Sequence, residues 1–248
     1  MKPARRGLWV MVLCFVVLGA SSAEAWEVRD TASAAAFGAF HDSFAPAAFH
    51  FPRHGAGPLG WVGFNLYADV AAVDGFGDED FADDDLPGSA IRGSLPGDFL
   101  SIARVGARKG LPGGFDLGVA YGEVLDADFD LLSADLKWSI IDGGLLKPAL
   151  ALRITGTKSD GSDTYDFTQV GADLTFSKGF ANLVPYIGIG VLRSESSLDR
   201  PGGDTLEVDS TDQVLFAGVT INLLVPKINL SVEQGEHLQA AVRFSLGL

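Results

Sequence analysis

Between Leu132 and Ile140 the chain reads LSADLKWSI. In an extended strand, Leu132, Ala134, Leu136, Trp138 and Ile140 share one face, while Ser133, Asp135, Lys137 and Ser139 share the other. Such alternation sets one face against an apolar phase and the other against a polar one. The pattern recurs in nine more segments, each of roughly ten residues or fewer. They are Gly60–Val70, Phe99–Arg108, Phe115–Glu123, Lys147–Thr155, Gln169–Phe176, Tyr186–Val191, Leu215–Asn222, Ile228–Glu233 and Gln239–Leu248.

Period-2 alternation alone also allows a soluble β-sandwich, so the connections decide. The links LPGG (111–114), DGG (142–144), residues 179–183 and Pro226-Lys227 are brief, and most of those between them are longer. Short turns at one end and longer loops at the other are the layout of an outer-membrane barrel. The expected fold is all-β: a transmembrane, antiparallel, up-and-down β-barrel of about ten strands. Eight or twelve strands remain alternatives. Closure would leave no unpaired edge in hydrocarbon.

The chain start supports export. MKPARR is basic, Gly7 to Ala20 is apolar, and Ala23 and Ala25 stand at the small positions of an A-x-A cleavage site. The apolar run is shorter than the ~20 residues of a spanning helix. Residues 1–25 are therefore expected to be a removable signal, 26–57 an N-terminal periplasmic segment, and 58–248 the barrel. The signal would take with it Lys2, Arg5, Arg6, Glu24 and the sole cysteine, Cys14. The full chain has 18 Lys and Arg against 32 Asp and Glu, a net charge of −14, and cleavage makes it more acidic still. That balance argues against nucleic acid, and without Cys14 the mature chain has no disulfide or thiol chemistry.

The chain resembles bacterial outer-membrane β-barrel proteins, as a broad class, over Pro58 to Leu248. LQAAVRFSLGL (238–248) resembles the C-terminal signal read by the barrel-assembly machinery, though it ends in Leu248 rather than an aromatic residue. ARKGLPGG, FSKGF and PYIGIGV resemble an uncharacterised exported barrel family with no established activity. The resemblance implies the outer membrane of a Gram-negative bacterium. It also implies lipid and lipopolysaccharide as surroundings, and periplasmic chaperones and the assembly machinery as biogenesis partners.

With the apolar faces on lipid, the opposite faces carry Asp69, Arg104, Arg108, Asp116, Glu123, Asp135, Lys137, Lys147, Arg153, Asp173, Glu233 and Arg243. These six acids and six bases are expected to cross-pair and fill a narrow lumen. The expected role is structural, interactive or that of a narrow pore, without enzymatic activity. The alternatives are a small channel or transporter and a rim-located hydrolase.

DGFGDEDFADDD offers Asp78, Asp80, Asp83, Asp84 and Asp85 as a weak Ca²⁺ or Mg²⁺ site; a solvated acidic loop is the simpler reading. No cofactor is expected. Ala34, Phe37, Phe40, His41 and Phe44 fall at helical spacing, so residues 30–44 suit a short amphipathic helix capped by Asp30 or Thr31 and ended before Pro46. Such a helix would lie on the inner leaflet, plug the barrel from below or meet periplasmic partners. His41, His50 and His54 precede the first strand. Only His237 falls in an outer loop, where Ser196 and Asp212 would have to approach it for hydrolysis. No nucleophile-elbow, metalloprotease or phosphate-loop motif is present.

Overall fold

A computed structural model describes residues 26–83, 85–93, 99–144, 147–223 and 225–247. The expected signal, residues 1–25, lies outside them. Ten strands close into one antiparallel barrel: β2 (Phe64–Val73), β4 (Leu100–Leu111), β5 (Phe115–Val124), β6 (Asp130–Asp142), β7 (Ala149–Asp160), β8 (Tyr165–Ser177), β9 (Leu183–Asp199), β10 (Thr205–Asn222), β11 (Pro226–Gln234) and β12 (Leu238–Gly247). Each strand pairs with the next, and β12 returns to β2 in register Val242↔Val70. Two short strands, β1 (Glu27–Val28) and β3 (Ile91–Arg92), pair apart from the barrel.

The outward face is apolar around the ring. Val119, Ile154, Val170, Ile187 and Leu215 are all more than half exposed, an arrangement stable only if lipid covers it. Phe64, Trp138, Phe176 and Phe180 add exposed aromatic rings toward the short-turn end, as at a membrane interface. The protein is thus an integral barrel of the outer-membrane type. Among the described residues no helix is long and apolar enough to span a bilayer.

β9 and β10 run further than the alternation announced. Their extra residues, SESSLD (194–199) and TLEVDSTD (205–212), are polar on the outer face of the hairpin and mixed on the inner one, where Leu198, Leu206 and Val208 meet the apolar cap. They rise above the apolar belt, where water meets the outer side and no lipid pattern is required.

The N-terminal segment departs most from expectation. It does not hang below the barrel as a periplasmic tail. Trp26 donates its backbone N–H to Asp126 O at 2.6 Å, in the β5–β6 loop at the long-loop end. Helix α1 (Ala34–Ala48) packs against β10 and β9. The chain then descends through the lumen, and Ala56 N donates to Ser177 Oγ near the short-turn end. The cap is Ser33, whose Oγ accepts from Ala36 N at 3.1 Å, rather than Asp30 or Thr31. Pro46 lies inside the last turn instead of beyond it; so near the end, its missing N–H costs a single helical bond.

Val119→Arg, at mid-height on the lipid face, should destabilise the folded barrel by about 2–4 kcal/mol. Thr211→Arg, on the projecting hairpin, should stay within about 0.5 kcal/mol. Denaturant titration in lipid vesicles measures both.

Candidate functional site

The site is the filled lumen, built in three tiers. At the long-loop end, α1 presents Phe37, Phe40 and Phe44 to Trp26, Phe76, Phe81, Phe129, Tyr165 and Phe167. Their ring centroids lie 5.1–6.5 Å apart, mostly edge to face, each contact adding to plain burial. This apolar cap has no counterpart in an empty barrel; the helix brings it in.

Beside the cap, above the apolar belt, His41 meets the wall. Its Nδ1 lies 2.7 Å from Ser196 Oγ, and its Nε2 3.2 Å from both Ser210 Oγ and Ser194 Oγ. Ser210 donates to Asp212 at 2.6 Å, so its proton is committed. His41 therefore donates from Nε2 and accepts from Ser196 at Nδ1. Burial holds its pKa below the ordinary 6.5, partly offset by Asp42, Asp212 and Asp209.

The middle tier is ionic. Arg53, on the descending segment, donates Nε and Nη2 to the two Glu233 oxygens at 2.7 Å each, and Nη1 to Asp69. Arg243 holds the other Asp69 oxygen through Nε at 2.8 Å and gives Nη1 to Pro52 O. Arg108 chelates Asp135 at 2.8 and 2.9 Å, Arg153 binds Asp173 at 2.7 Å, and Lys137 meets Asp116 at 2.7 Å. Arg104 reaches Ala48 O at 3.1 Å. All eleven charged side chains are at most 5 % exposed.

The lowest tier is a backbone seal. Ser139 Oγ donates to Ala56 O and Lys137 Nζ to Gly57 O, while Leu59 N donates to the Asp116 carboxylate. The wall makes room for the segment: a Cβ on Gly171 would stand 2.6 Å from the Phe49 ring.

Ten of the twelve expected lumen charges are therefore inside the barrel: Asp69, Arg104, Arg108, Asp116, Asp135, Lys137, Arg153, Asp173, Glu233 and Arg243. Two are not. Glu123 shares the parity of Val119 and Tyr121 and points outward, exposed; Lys147 is exposed in the β6–β7 turn. Arg53 was missed, although it is the only Asp, Glu, Lys or Arg between residues 43 and 68. Among the described residues the interior thus holds six cations against five carboxylates.

Among the described residues, no three His, Cys, Asp or Glu side chains are placed to hold a metal; Asp78, Asp80, Asp83 and Asp85 are described and Asp84 is not. Ser196 and Asp212 converge on His41, not His237, because α1 rises to the long-loop end. His237 packs its ring on Phe76 instead.

No family model matches the sequence, and no curated protein matches it. Solved structures are similar at low identity. LpxR from Salmonella typhimurium is 11% identical, with 73% of this chain and 99% of that one covered, at TM-score 0.39. The N-terminal β-barrel domain of Pseudomonas aeruginosa OprF is 10% identical, covering 76% and 99%, at 0.35. Neisserial surface protein A is 12% identical, covering 75% and 96%, at 0.33. None of these likenesses carries a role to this chain.

Arg53→Met should cost about 3–5 kcal/mol, since it strands Glu233 and half of Asp69 in a dry interior. Arg53→Lys should recover only part, lacking the two-pronged donor. Urea titration of the refolded chain reads both.

His41 supplies a second test. The unfolded imidazole takes a proton near pH 6.5, and the folded one resists it. Protonation therefore favours opening, so this contribution is full above pH 6.5 and falls away below it. Protection factors of the α1 amides, which divide out the intrinsic exchange rate, should fall on acidification, and His41→Gln should flatten that dependence.

Proposed function

We propose that this protein is a self-plugged outer-membrane barrel that does not conduct, with its work done at the long-loop end as a structural or interaction element of the envelope. The observation that carries this reading is the descending segment, bonded to the wall at each tier and latched at mid-height by Arg53 on Glu233 and Asp69. A pore would need a continuous polar path. Here the upper tier is aromatic, and the middle is crossed by paired charges.

The reading extends the expected ion-pair filling: the pairs hold a segment of the chain rather than only one another. It also speaks against the rim hydrolase. Ser196 could pass its proton to His41, but its side chain is buried. The cleft over this stretch is lined by the outward residues Asp166, Arg193, Glu195, Glu207 and Asp209 together with Ser196, whose hydroxyl turns inward to His41. His41 and its serines act as a polar clasp between helix and wall.

The refolded mature chain should show no steady single-channel current in a planar bilayer, once heat-modifiable gel mobility shows that the barrel has formed. A stable ionic current would favour the channel reading. A reporter fused just before Trp26 should be reached by antibody on intact cells, because the segment ends among the long loops.

A further inference from the structure

The barrel wall is complete through the apolar belt and incomplete above it. β10 pairs with β9 from Thr205↔Asp199 down to Ile221↔Leu183, but with β11 only from Leu215↔Gln234 downward. Residues 205–214 thus have one neighbour strand among the described residues. They form an edge of roughly 33 Å at ~3.3 Å per residue. Burial on the inner side agrees. Ser194, Ser196 and Leu198 of β9 are fully buried, whereas Leu206, Val208, Ser210 and Asp212 of β10 are only half-buried.

We infer that this edge is a docking site for an extended cationic segment of another protein, added to β10 as a further strand. Two independent features define that partner. Above Leu215 no second strand pairs with β10 among the described residues, and α1 reaches this stretch through the His41 side chain on Ser210; such a strand edge accepts a further strand and nothing more compact. The side chains set its chemistry. Glu207 and Asp209 project outward at successive positions, beside Glu195 and Asp166, with Arg193 the one base in the cleft they share. Arg193 lies 3.6 Å from both Glu195 and Asp209 and leaves an excess of negative charge. The inner positions, Leu206 and Val208, pack partly against the apolar cap. A complementary strand therefore alternates Lys or Arg with apolar residues. A second copy of this chain fits poorly, because its own edge would set acid against acid.

The test uses the full mature chain refolded in detergent micelles and a fluorescein-labelled decapeptide of alternating Lys and Val, read by anisotropy. A control peptide carries N-methyl groups on every internal amide, which keeps its charge and removes its strand pairing. The chain variant is Glu207→Gln with Asp209→Asn; both side chains are exposed, so the barrel keeps its fold. The expected result is saturable binding that weakens by about tenfold with the variant, and by at least about tenfold with the methylated peptide. Equal binding of the two peptides would overturn the proposal, since charge alone would then explain it. So would binding indifferent to the acid substitutions. A chain that is already a dimer in micelles, with its 205–214 amides protected from exchange, would also overturn it and assign the edge to a second copy.

Discussion

One guanidinium ties the interior together. Arg53 sits between Glu233 on β11 and Asp69 on β2, and Asp69 is shared with Arg243 on β12. Those three strands are neighbours in the wall, and β12–β2 is the seam where the last strand meets the first. The latch of the plug is thus also a clamp across the closure. Leaving out Arg53 would bury Glu233 without its ion-pair partner and leave Asp69 with Arg243 alone, at a cost of several kcal/mol per unpaired ion. Leaving out the wall acids would strand Arg53 in the same way. Each half of the network makes the other tolerable, so barrel closure and segment insertion are energetically one event.

The lumen changes character with height because each tier solves a different burial problem. Where the helix enters, its Phe stripe needs an apolar partner. The loops supply Phe76, Phe81 and Phe129, and the wall supplies Tyr165 and Phe167. Lower down, the segment is extended and its peptide groups need partners. Arg104, Arg243, Ser139 and Lys137 donate to its carbonyls at Ala48, Pro52, Ala56 and Gly57. Inward charges on the strands therefore do two things: they pair with one another and they solvate a backbone that water cannot reach.

Much of the wall was legible in the sequence. Ten alternating segments became ten paired strands, because period 2 reports directly on a surface with lipid outside and polar groups within. Parity also placed ten of twelve charges. Glu123 failed because parity was overruled by its charge: it lies on the outward face with Tyr121, at the rim where an acid meets water. Lys147 failed because a turn has no parity. The helix of the N-terminal segment was legible, and a plug was among its expected outcomes; its rise to the long-loop end was not. Its Phe spacing announces a helix, but the place where that helix and the lone Arg53 lodge depends on partners from 16 to 191 positions away, Asp69 and Arg243 among them, and no local period encodes that fit. His41 precedes the first strand in sequence, which points it to the periplasmic end, yet the segment carries it up to Ser196 and Ser210.

The upper boundary of the membrane is written twice in β10, once in side chains and once in pairing. Below Gln213 the outward positions are Leu215, Ala217 and Val219; at Gln213 and above they are Gln213, Thr211, Asp209 and Glu207. The second neighbour strand is lost at the same height, since pairing with β11 begins at Leu215. The facing strand agrees, with outward Val191 giving way to Arg193. The coincidence has one cause. In hydrocarbon an unpaired peptide group costs several kcal/mol, so every strand needs two neighbours there. Above it water satisfies the edge, and the chain is free to leave one open. The same step in dielectric that forces the ring to close also ends the demand for closure, and the exposed edge begins where the lipid-facing residues stop.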